Sequence, residues 1–176
     1  MNTILETERL ILREFSPDDA AQLHELNADP EVIRYTGDSA FHSVQEARKF
    51  LENYQDYHLN GFGRWAVLSK EYGEFLGWCG LKLNEEQMID IGFRFHQKHW
   101  GRGYATEAAL ACLRYGFKKL HFEEIIGRAA KANPASIKVL EKLGMHYWKS
   151  APCHGILDAS YFKVNRESFL NLHFQK

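Results

Sequence analysis

Alternating apolar and polar positions predict short strands along most of the chain. From residue 89 to 95 an apolar side chain falls at every second position, which is the period of a half-buried strand. Similar alternation, bounded by turn residues, predicts strands that start near residue 4 and cover 64–69, 75–83, 124–130, 145–149 and 159–165. Residues 152–157, before the last of these, are expected to form an irregular loop.

A period of three or four residues indicates helices between these strands. The longest predicted helix covers 103–120, with apolar side chains at Leu110, Leu113, Phe117 and Leu120. Ser16 and Ser43 are typical N-cap residues, so we expect helices after both, the second reaching about residue 59. Shorter helices are predicted at 30–35 and 133–143. Together these elements predict one mixed α/β (α+β) domain over residues 1–176, with about seven strands in a mostly antiparallel sheet flanked by helices.

The turn between the 89–95 strand and the long helix is rich in glycine and basic residues. It reads Gln-Lys-His-Trp-Gly-Arg-Gly-Tyr-Ala-Thr-Glu from residue 97 to 107. Glycines allow close backbone approach, and the first-turn N–H groups of a helix form an anion site that suits a pyrophosphate. A tight connection with solvated charges would also explain the turn. The residues of a Walker A loop or of a dinucleotide fingerprint are not there.

A second informative stretch runs from residue 133 to 145. Asn133 suits a helix N-cap, Pro134 the first helical position and Gly144 the position just beyond the helix. This stretch lies about thirty residues beyond the glycine turn, and the two can be interpreted together.

These stretches resemble the GNAT superfamily of acyl-CoA-dependent N-acetyltransferases, and most closely its RimJ/RimL-type branch. The residues from Trp100 to Ala108 differ from the branch's common Trp-Gly-Lys-Gly-Tyr-Ala-Thr-Glu-Ala only at Arg102. The family's Asn-x-x-Ser/Ala-x-x-x-x-Glu-x-x-Gly-Phe motif matches 133–144, with Met145 in place of Phe. Residues 6–13 resemble the branch's usual first strand. One departure is Lys98, which stands where the family has Gln or Arg.

The resemblance implies the GNAT fold and acetyl-CoA as cosubstrate, with no metal. Its pantetheine arm would pair with the backbone of the 89–95 strand, and its pyrophosphate would bind the loop amides. The expected cofactor-binding residues are Phe93, Arg94, Phe95, Lys98, His99, Trp100, Gly101, Arg102, Gly103, Tyr104, Ala105, Asn133 and Ser136. A local explanation exists for Asn133 and Ser136 as ordinary helix-start residues. Glu107 needs no catalytic role, because an acid in a helix's first turn already complements the dipole.

GNAT chemistry requires a neutral amine, a stabilised oxyanion and a proton for the thiolate. The resemblance makes Asp90 the candidate base, acting through a water; a surface carboxylate at a strand end is the alternative. The family's usual acid, a Tyr, is missing near Leu140, so Ser136 or Tyr161 are the candidate acids. A backbone N–H near Phe93 would stabilise the oxyanion. His154 and Asp158 are candidate acceptor contacts, although a lone loop histidine is often only solvated.

Composition narrows the class of protein further. The hydrophobic fraction of 45% and the charged fraction of 26% are typical of a globular domain. A net charge of −1 argues against broad binding to nucleic acid or membranes. Cys79, Cys112 and Cys153 have neither a disulfide pattern nor zinc-site spacing. The chain starts without a signal-like segment, so a cytoplasmic location is expected.

The sequence therefore predicts an acetyl-CoA-dependent N-acetyltransferase that acts on a primary amine, as a monomer or homodimer. The branch suggests a protein N-terminus as acceptor, but it also contains enzymes for amino acids, polyamines and aminoglycosides. A strongly acidic acceptor groove would favour a polycation. The alternatives are a non-catalytic CoA-binding module and a nucleotide-binding regulatory domain.

Overall fold

The computed structural model describes residues 2–174, and its eight strands form one sheet. The strands are Thr3–Glu6 (β1), Leu10–Arg13 (β2), Arg64–Ser69 (β3), Phe75–Leu83 (β4), Ile89–Phe95 (β5), Glu124–Ala130 (β6), His146–Cys153 (β7) and Ile156–Asn165 (β8). The helices are Ala20–Ala28 (α1), Pro30–Ile33 (α2), Val44–Glu52 (α3), Asp56–Asn60 (α4), Tyr104–Lys118 (α5), Pro134–Lys142 (α6) and Arg166–Phe174 (α7).

The strand order is β1-β2-β3-β4-β5-β6-β8-β7, and β5 and β6 are its one parallel pair. Every other neighbouring pair is antiparallel. The predicted mixed α/β fold with a mostly antiparallel sheet is confirmed. No helix within residues 2–174 combines the length and apolar character needed to cross a bilayer.

Helices cover the two faces of the sheet with separate apolar clusters. On one face, Cys112 and Leu113 of α5 pack against Leu81 and Ile91 in the larger cluster. On the other face, α1 and α3 cover Ala66 and Phe75. Because strand side chains alternate, polar residues of β3, β4 and β5 share this second face and lie beside α1 and α3.

The strand count is eight because the first predicted strand is a hairpin. The Thr7 N–H donates to the Leu10 carbonyl at 2.9 Å, and the Leu10 N–H donates to Thr7 Oγ1 at 3.0 Å. The chain reverses there without glycine or proline, so no composition signal separates β1 from β2.

Other boundaries also differ from the sequence prediction, most clearly at one helix and one turn. The helix expected over 43–59 breaks after Glu52, where Asn53 donates to the Lys49 carbonyl through both its backbone N–H and Nδ2. The expected loop at 152–157 is instead a tight β7–β8 turn with positive φ at His154 and Gly155. The sequence analysis also missed α7, whose Phe169 is buried in the larger cluster.

Candidate active site

A cleft opens where β5 and β6 diverge. The two strands pair only at Asp90–Ile126 and Ile91–Gly127, so residues 92–95 have no strand partner on the β6 side. The cleft has a volume of about 510 Å³. Residues of β5, β6, α1, the α2–α3 segment and the start of α6 line it, including Phe93, Arg94, Asn133 and Ser136. Free edge backbone of this kind can pair with an extended ligand.

The glycine turn after β5 presents backbone amides at the N-terminus of α5. Gly101 and Gly103 have φ values of 71° and 81°, in the left-handed region that favours glycine. Gly103 is the N-cap of α5, and no side chain among residues 2–174 caps it. Within this part of the chain the first-turn N–H groups therefore have no side-chain acceptor and, with the helix dipole, form an anion site at the exposed loop.

Three side chains of the loop before α5, those of Lys98, His99 and Trp100, contact the rest of the protein, which the sequence did not predict. The Lys98 ammonium pairs with the Glu74 carboxylate at 2.7 Å and lowers its pKa. His99 is buried, and this burial lowers the pKa of its imidazole although Glu74 Oε1 lies 3.4 Å away. The Trp100 indole donates to the Phe95 carbonyl at 2.8 Å. These contacts fix the loop, and Arg102 remains exposed at its tip.

An ion-pair cluster that the sequence analysis missed connects this loop to the β1–β2 turn. Glu107 of α5 accepts hydrogen bonds from Thr7 Oγ1 at 2.6 Å, from the Arg9 backbone at 3.0 Å and from Arg9 Nε at 2.7 Å. Burial raises the pKa of Glu107, but these bonds outweigh it and the net pKa is lowered. Arg9 also donates to the Arg102 carbonyl and lies over the Tyr104 ring, 4.5 Å from its centroid.

Asn133, which lines the cleft together with β5 residues, caps the start of α6. Its Oδ1 accepts from the Ser136 N–H at 3.2 Å, and its Nδ2 donates to Ser136 Oγ at 3.0 Å. Both residues line the cleft and are half-buried. Since Ser136 Oγ accepts this bond, its own hydroxyl proton is available for another group.

Asp90 is not a surface carboxylate: it is 4% exposed and lies between two arginines. Arg64 Nη2 approaches Asp90 Oδ1 at 2.7 Å, and Arg128 Nε approaches Oδ2 at 2.7 Å. Burial lowers the pKa of Arg128, but the nearby carboxylates of Asp90 and Glu85 raise it by more, so the net pKa of Arg128 is raised. All three residues line the cleft, and neither arginine was identified from the sequence.

Gly92 makes the Arg64–Asp90 pair possible. Gly92 lies opposite Gly80, which in turn lies opposite Arg64, on three adjacent strands. A Cβ at Gly92 would lie 2.6 Å from Arg64 Cζ. The guanidinium therefore occupies the space over β5 where a side chain would otherwise stand, and it donates to the Gly80 carbonyl as well as to Asp90.

The remaining candidate residues lie in different places. Tyr161 is buried and does not belong to the cleft lining. Its hydroxyl donates to Glu86 Oε1 at 2.8 Å. Burial is the main cause that raises the pKa of Tyr161 to about 12, and the bond to Glu86 adds to it. Asp158 is exposed beside Lys131, also outside the lining. His154 does line the cleft, at the β7–β8 turn.

His154 belongs to a cluster with Glu85 and Cys153, whose potential ligand atoms lie within 4.8 Å of one another. Glu85, however, is already held by Arg128 Nη1 at 2.7 Å, and this bond lowers its pKa to about 2. Burial raises the pKa of the Cys153 thiol, which disfavours the thiolate a metal needs. The cluster is thus better described as an ion-pair network at the cleft rim.

Comparisons with known proteins agree with this geometry. The sequence model described as an acetyltransferase (GNAT) domain matches residues 9–146. The chain is 38% identical to the uncharacterised protein YkkB of Bacillus subtilis, over 84% of this chain and 88% of that one. The protein belongs to the GNAT acetyltransferase family, and it is therefore an N-acetyltransferase enzyme.

Solved structures agree with this assignment. A GNAT-family acetyltransferase from Bacillus anthracis superposes with a TM-score of 0.80 at 28% identity, covering 93% of this chain and 98% of that one. A spermidine N-acetyltransferase from Vibrio cholerae, solved with CoA and spermine, has a TM-score of 0.79 at 20% identity, covering 94% and 100%. The second match supports the fold alone.

Proposed function

We propose that this enzyme transfers the acetyl group of acetyl-CoA to a primary amine that enters the cleft between β5 and β6. The observation that carries the proposal is that two possible binding elements, a free strand edge and an anion-binding loop, follow each other directly along the chain. The unpaired backbone of residues 92–95 leads directly into a glycine loop and the uncapped N-terminus of α5. An extended thioester arm with a pyrophosphate at its end matches both.

Acetyl-CoA would supply the acetyl thioester, and the protein's residues would bind and orient it. The amides from Lys98 to Ala105 would hold the pyrophosphate, and Asn133 and Ser136 would contact the arm from α6. The Arg9–Glu107 pair would keep the loop against β1–β2. These residues fit the cosubstrate because the loop offers N–H donors without a side-chain cap.

Three groups at the cleft would remove the proton of the ammonium, stabilise the oxyanion and protonate the leaving thiolate. We propose that Asp90 accepts the ammonium proton through a water, since a carboxylate has lone pairs beyond those used by Arg64 and Arg128. A backbone N–H near Phe93 would stabilise the negative charge that develops on the carbonyl oxygen. Of the two candidate acids, Ser136 lines the cleft and Tyr161 does not, so we propose Ser136 as the proton donor to sulfur.

We also propose the RimJ/RimL-type branch, with a protein N-terminus or a small amine as acceptor. The N-terminal motif supports this because Thr7 and Arg9 contact the α5 loop helix through Glu107. A cytoplasmic location remains our proposal from the cysteine pattern.

A thermal-shift measurement with acetyl-CoA, CoA and ATP tests the cosubstrate site. Acetyl-CoA at a hundred times its dissociation constant should raise the free energy of unfolding by about 2.7 kcal/mol. Gly103→Asp should abolish the shift, because it places a carboxylate among the loop amides. Gly61→Asp is the matched control: it has a similar φ of 77° and open space around it, away from the loop.

The outcomes separate the alternatives. A shift with acetyl-CoA that Gly61→Asp keeps and Gly103→Asp loses supports the loop site, and release of the CoA thiol with an amine then separates an enzyme from a non-catalytic CoA-binding module. A shift with ATP alone would favour the nucleotide-binding alternative. No acetyl-CoA shift in folded wild-type protein would refute the proposal.

A further inference from the structure

We infer that the acceptor is a small amine that also carries a carboxylate, and that Arg64 and Arg94 bind this carboxylate in the cleft. The inference rests on the proposed acetyl transfer and narrows its acceptor class. It points away from polyamines, although several solved structures of the same fold are spermidine acetyltransferases.

The deep charges of the cleft are mostly positive. Arg64, Arg94 and Arg128 line it from β3, β5 and β6, and their side chains are 16%, 9% and 9% exposed. Asp90 is the only similarly buried carboxylate among the lining residues that the structure describes. Partly dehydrated guanidinium groups bind carboxylates strongly, often with two parallel hydrogen bonds.

The carboxylates of the cleft already have arginine partners. Asp90 pairs with Arg64 and Arg128, Glu85 with Arg128, and Asp38 with Arg94. Asp38, Glu85 and Asp90 are all the acidic residues in the described lining. A polycation would have to compete with an existing ion pair for every carboxylate it contacted, so the cleft is poorly suited to one.

Arg64 and Arg94 also keep unused donors. Arg64 donates from Nη1 to two backbone carbonyls and from Nη2 to Asp90 Oδ1. Arg94 donates from Nη1 to Asn27 Oδ1 at 2.7 Å and from Nη2 to Asp38 Oδ2 at 2.5 Å. A guanidinium has five N–H donors, and no described residue accepts from either Nε.

A single indole orients both groups. Arg64 Cζ lies 5.5 Å and Arg94 Cζ 5.3 Å from the centroid of the Trp78 ring. Cation–π contact on one ring holds the two guanidinium groups in fixed positions, which lowers the entropic cost of binding an anion. Sequence analysis could not find this arrangement, because it depends on the register that sets Trp78 opposite Arg94.

The walls of the cleft indicate the rest of the acceptor. Aromatic residues line the same cleft and favour an apolar or aromatic body: Phe15, Tyr35, Phe41, Phe50, Tyr54 and Phe93. The acceptor class that combines these features is an α-amino acid, or a similar amino-carboxylate, with an apolar or aromatic side chain.

The test compares two amino acids with their matched analogues that lack the carboxylate, and with a polyamine. We would measure kcat/KM with acetyl-CoA for L-phenylalanine and L-leucine, for their amides, for 2-phenylethylamine and for spermidine. The free acids should exceed the other acceptors by at least about tenfold, because a site built to pair with a polar group rejects analogues without it. An amide has no negative charge to stabilise the neighbouring ammonium, so at a given pH more of its amine is neutral and able to react. A preference of the enzyme for the free acid would therefore have to come from binding and not from the reactivity of the amine.

A variant locates the effect. Arg94→Gln should lower kcat/KM at least about tenfold for the acids and little for the amides. The role of Arg94 toward acetyl-CoA is expected of its backbone, which the substitution keeps, so any change in KM for acetyl-CoA should be small beside the change for the acids. Arg34→Gln is the control, because Arg34 forms an exposed pair with Glu31 outside the cleft lining. The acceptor comparison needs only the wild-type chain, so the test stands even if Arg94→Gln does not fold.

The outcomes separate this inference from the proposed function. Equal turnover of acids and amides, or a preference for spermidine, would overturn the inference and leave acetyl transfer standing. If folded enzyme acetylates no amine in the panel, the inference fails, and the thermal-shift measurement with acetyl-CoA then decides whether the proposed function fails as well.

Discussion

The guanidinium of Arg64 lies over Gly92, so close that a Cβ there would come within 2.6 Å of Arg64 Cζ. This contact connects the backbone of the proposed cosubstrate strand to the charged floor of the cleft. The arginine reaches Asp90 only because β5 carries no side chain at this position.

Gly92→Ala should therefore act through Arg64. Gly92 has no positive φ, so alanine itself is compatible with the strand, and the flexible guanidinium would move aside. The protein would lose charge-assisted hydrogen bonds worth about 1.5–3 kcal/mol in the free energy of unfolding. We also expect a lower kcat/KM for the acceptor. Denaturant unfolding and initial rates measure the two effects.

A double-mutant cycle with Arg64→Gln checks the mechanism of Gly92→Ala. If alanine acts by displacing the guanidinium, it should cost little once Arg64 has been replaced. Additive effects of the two substitutions would contradict the role assigned to this contact.

Glu107→Gln should weaken the loop more than the acceptor site. The carboxylate accepts from Thr7 and from Arg9, and an amide retains only part of these bonds. We expect a loss of about 1–3 kcal/mol in unfolding free energy and a higher KM for acetyl-CoA. Steady-state kinetics with each substrate varied in turn would measure the split.

Glu6→Gln is the matched control for Glu107→Gln. Glu6 pairs with Lys70 on the surface, where such a pair contributes only about 0–1 kcal/mol. A rise in the acceptor KM alone after Glu107→Gln would be inconsistent with a role in positioning the loop.

The elements that sequence predicted well carry local signals. The alternation of β5, the two glycines of the loop and the Asn133 cap each depend on residues within a few positions of one another. They predicted the strand, the α5 start and the α6 start within one residue.

The arginine partners could not be predicted in the same way. Arg9 and Glu107 are 98 residues apart, and Arg64 and Asp90 are 26 apart. Such pairs depend on strand order and register, which a single sequence does not determine. The β7–β8 turn was missed for a local reason, since His154-Gly155 is not one of the usual Asn-Gly or Asp-Gly pairs.

Removal of metal ions should not change activity. Glu85, Cys153 and His154 lie close enough to resemble a metal site, but the Arg128 guanidinium already supplies the positive charge beside Glu85. Acetyl transfer assayed before and after EDTA treatment should proceed at the same rate. Loss of activity with EDTA and its recovery with zinc would mean that a cation displaces Arg128.

The Glu85–Arg128 pair should make stability depend on acid pH. The bond to Arg128 lowers the pKa of Glu85 from 4.5 to about 2, so the unfolded chain binds more protons between these values. The contribution of the pair is therefore complete above about pH 4.5 and disappears as the pH falls through about 2. Because Glu85 is half exposed, solvent screening reduces the size of the effect.

The unfolding free energies of wild type and of Glu85→Gln should converge as the pH falls through this window. Glu52→Gln, at an exposed position, should not reproduce the convergence. A constant difference between wild type and Glu85→Gln at all pH values would show that the ion pair does not control this pKa.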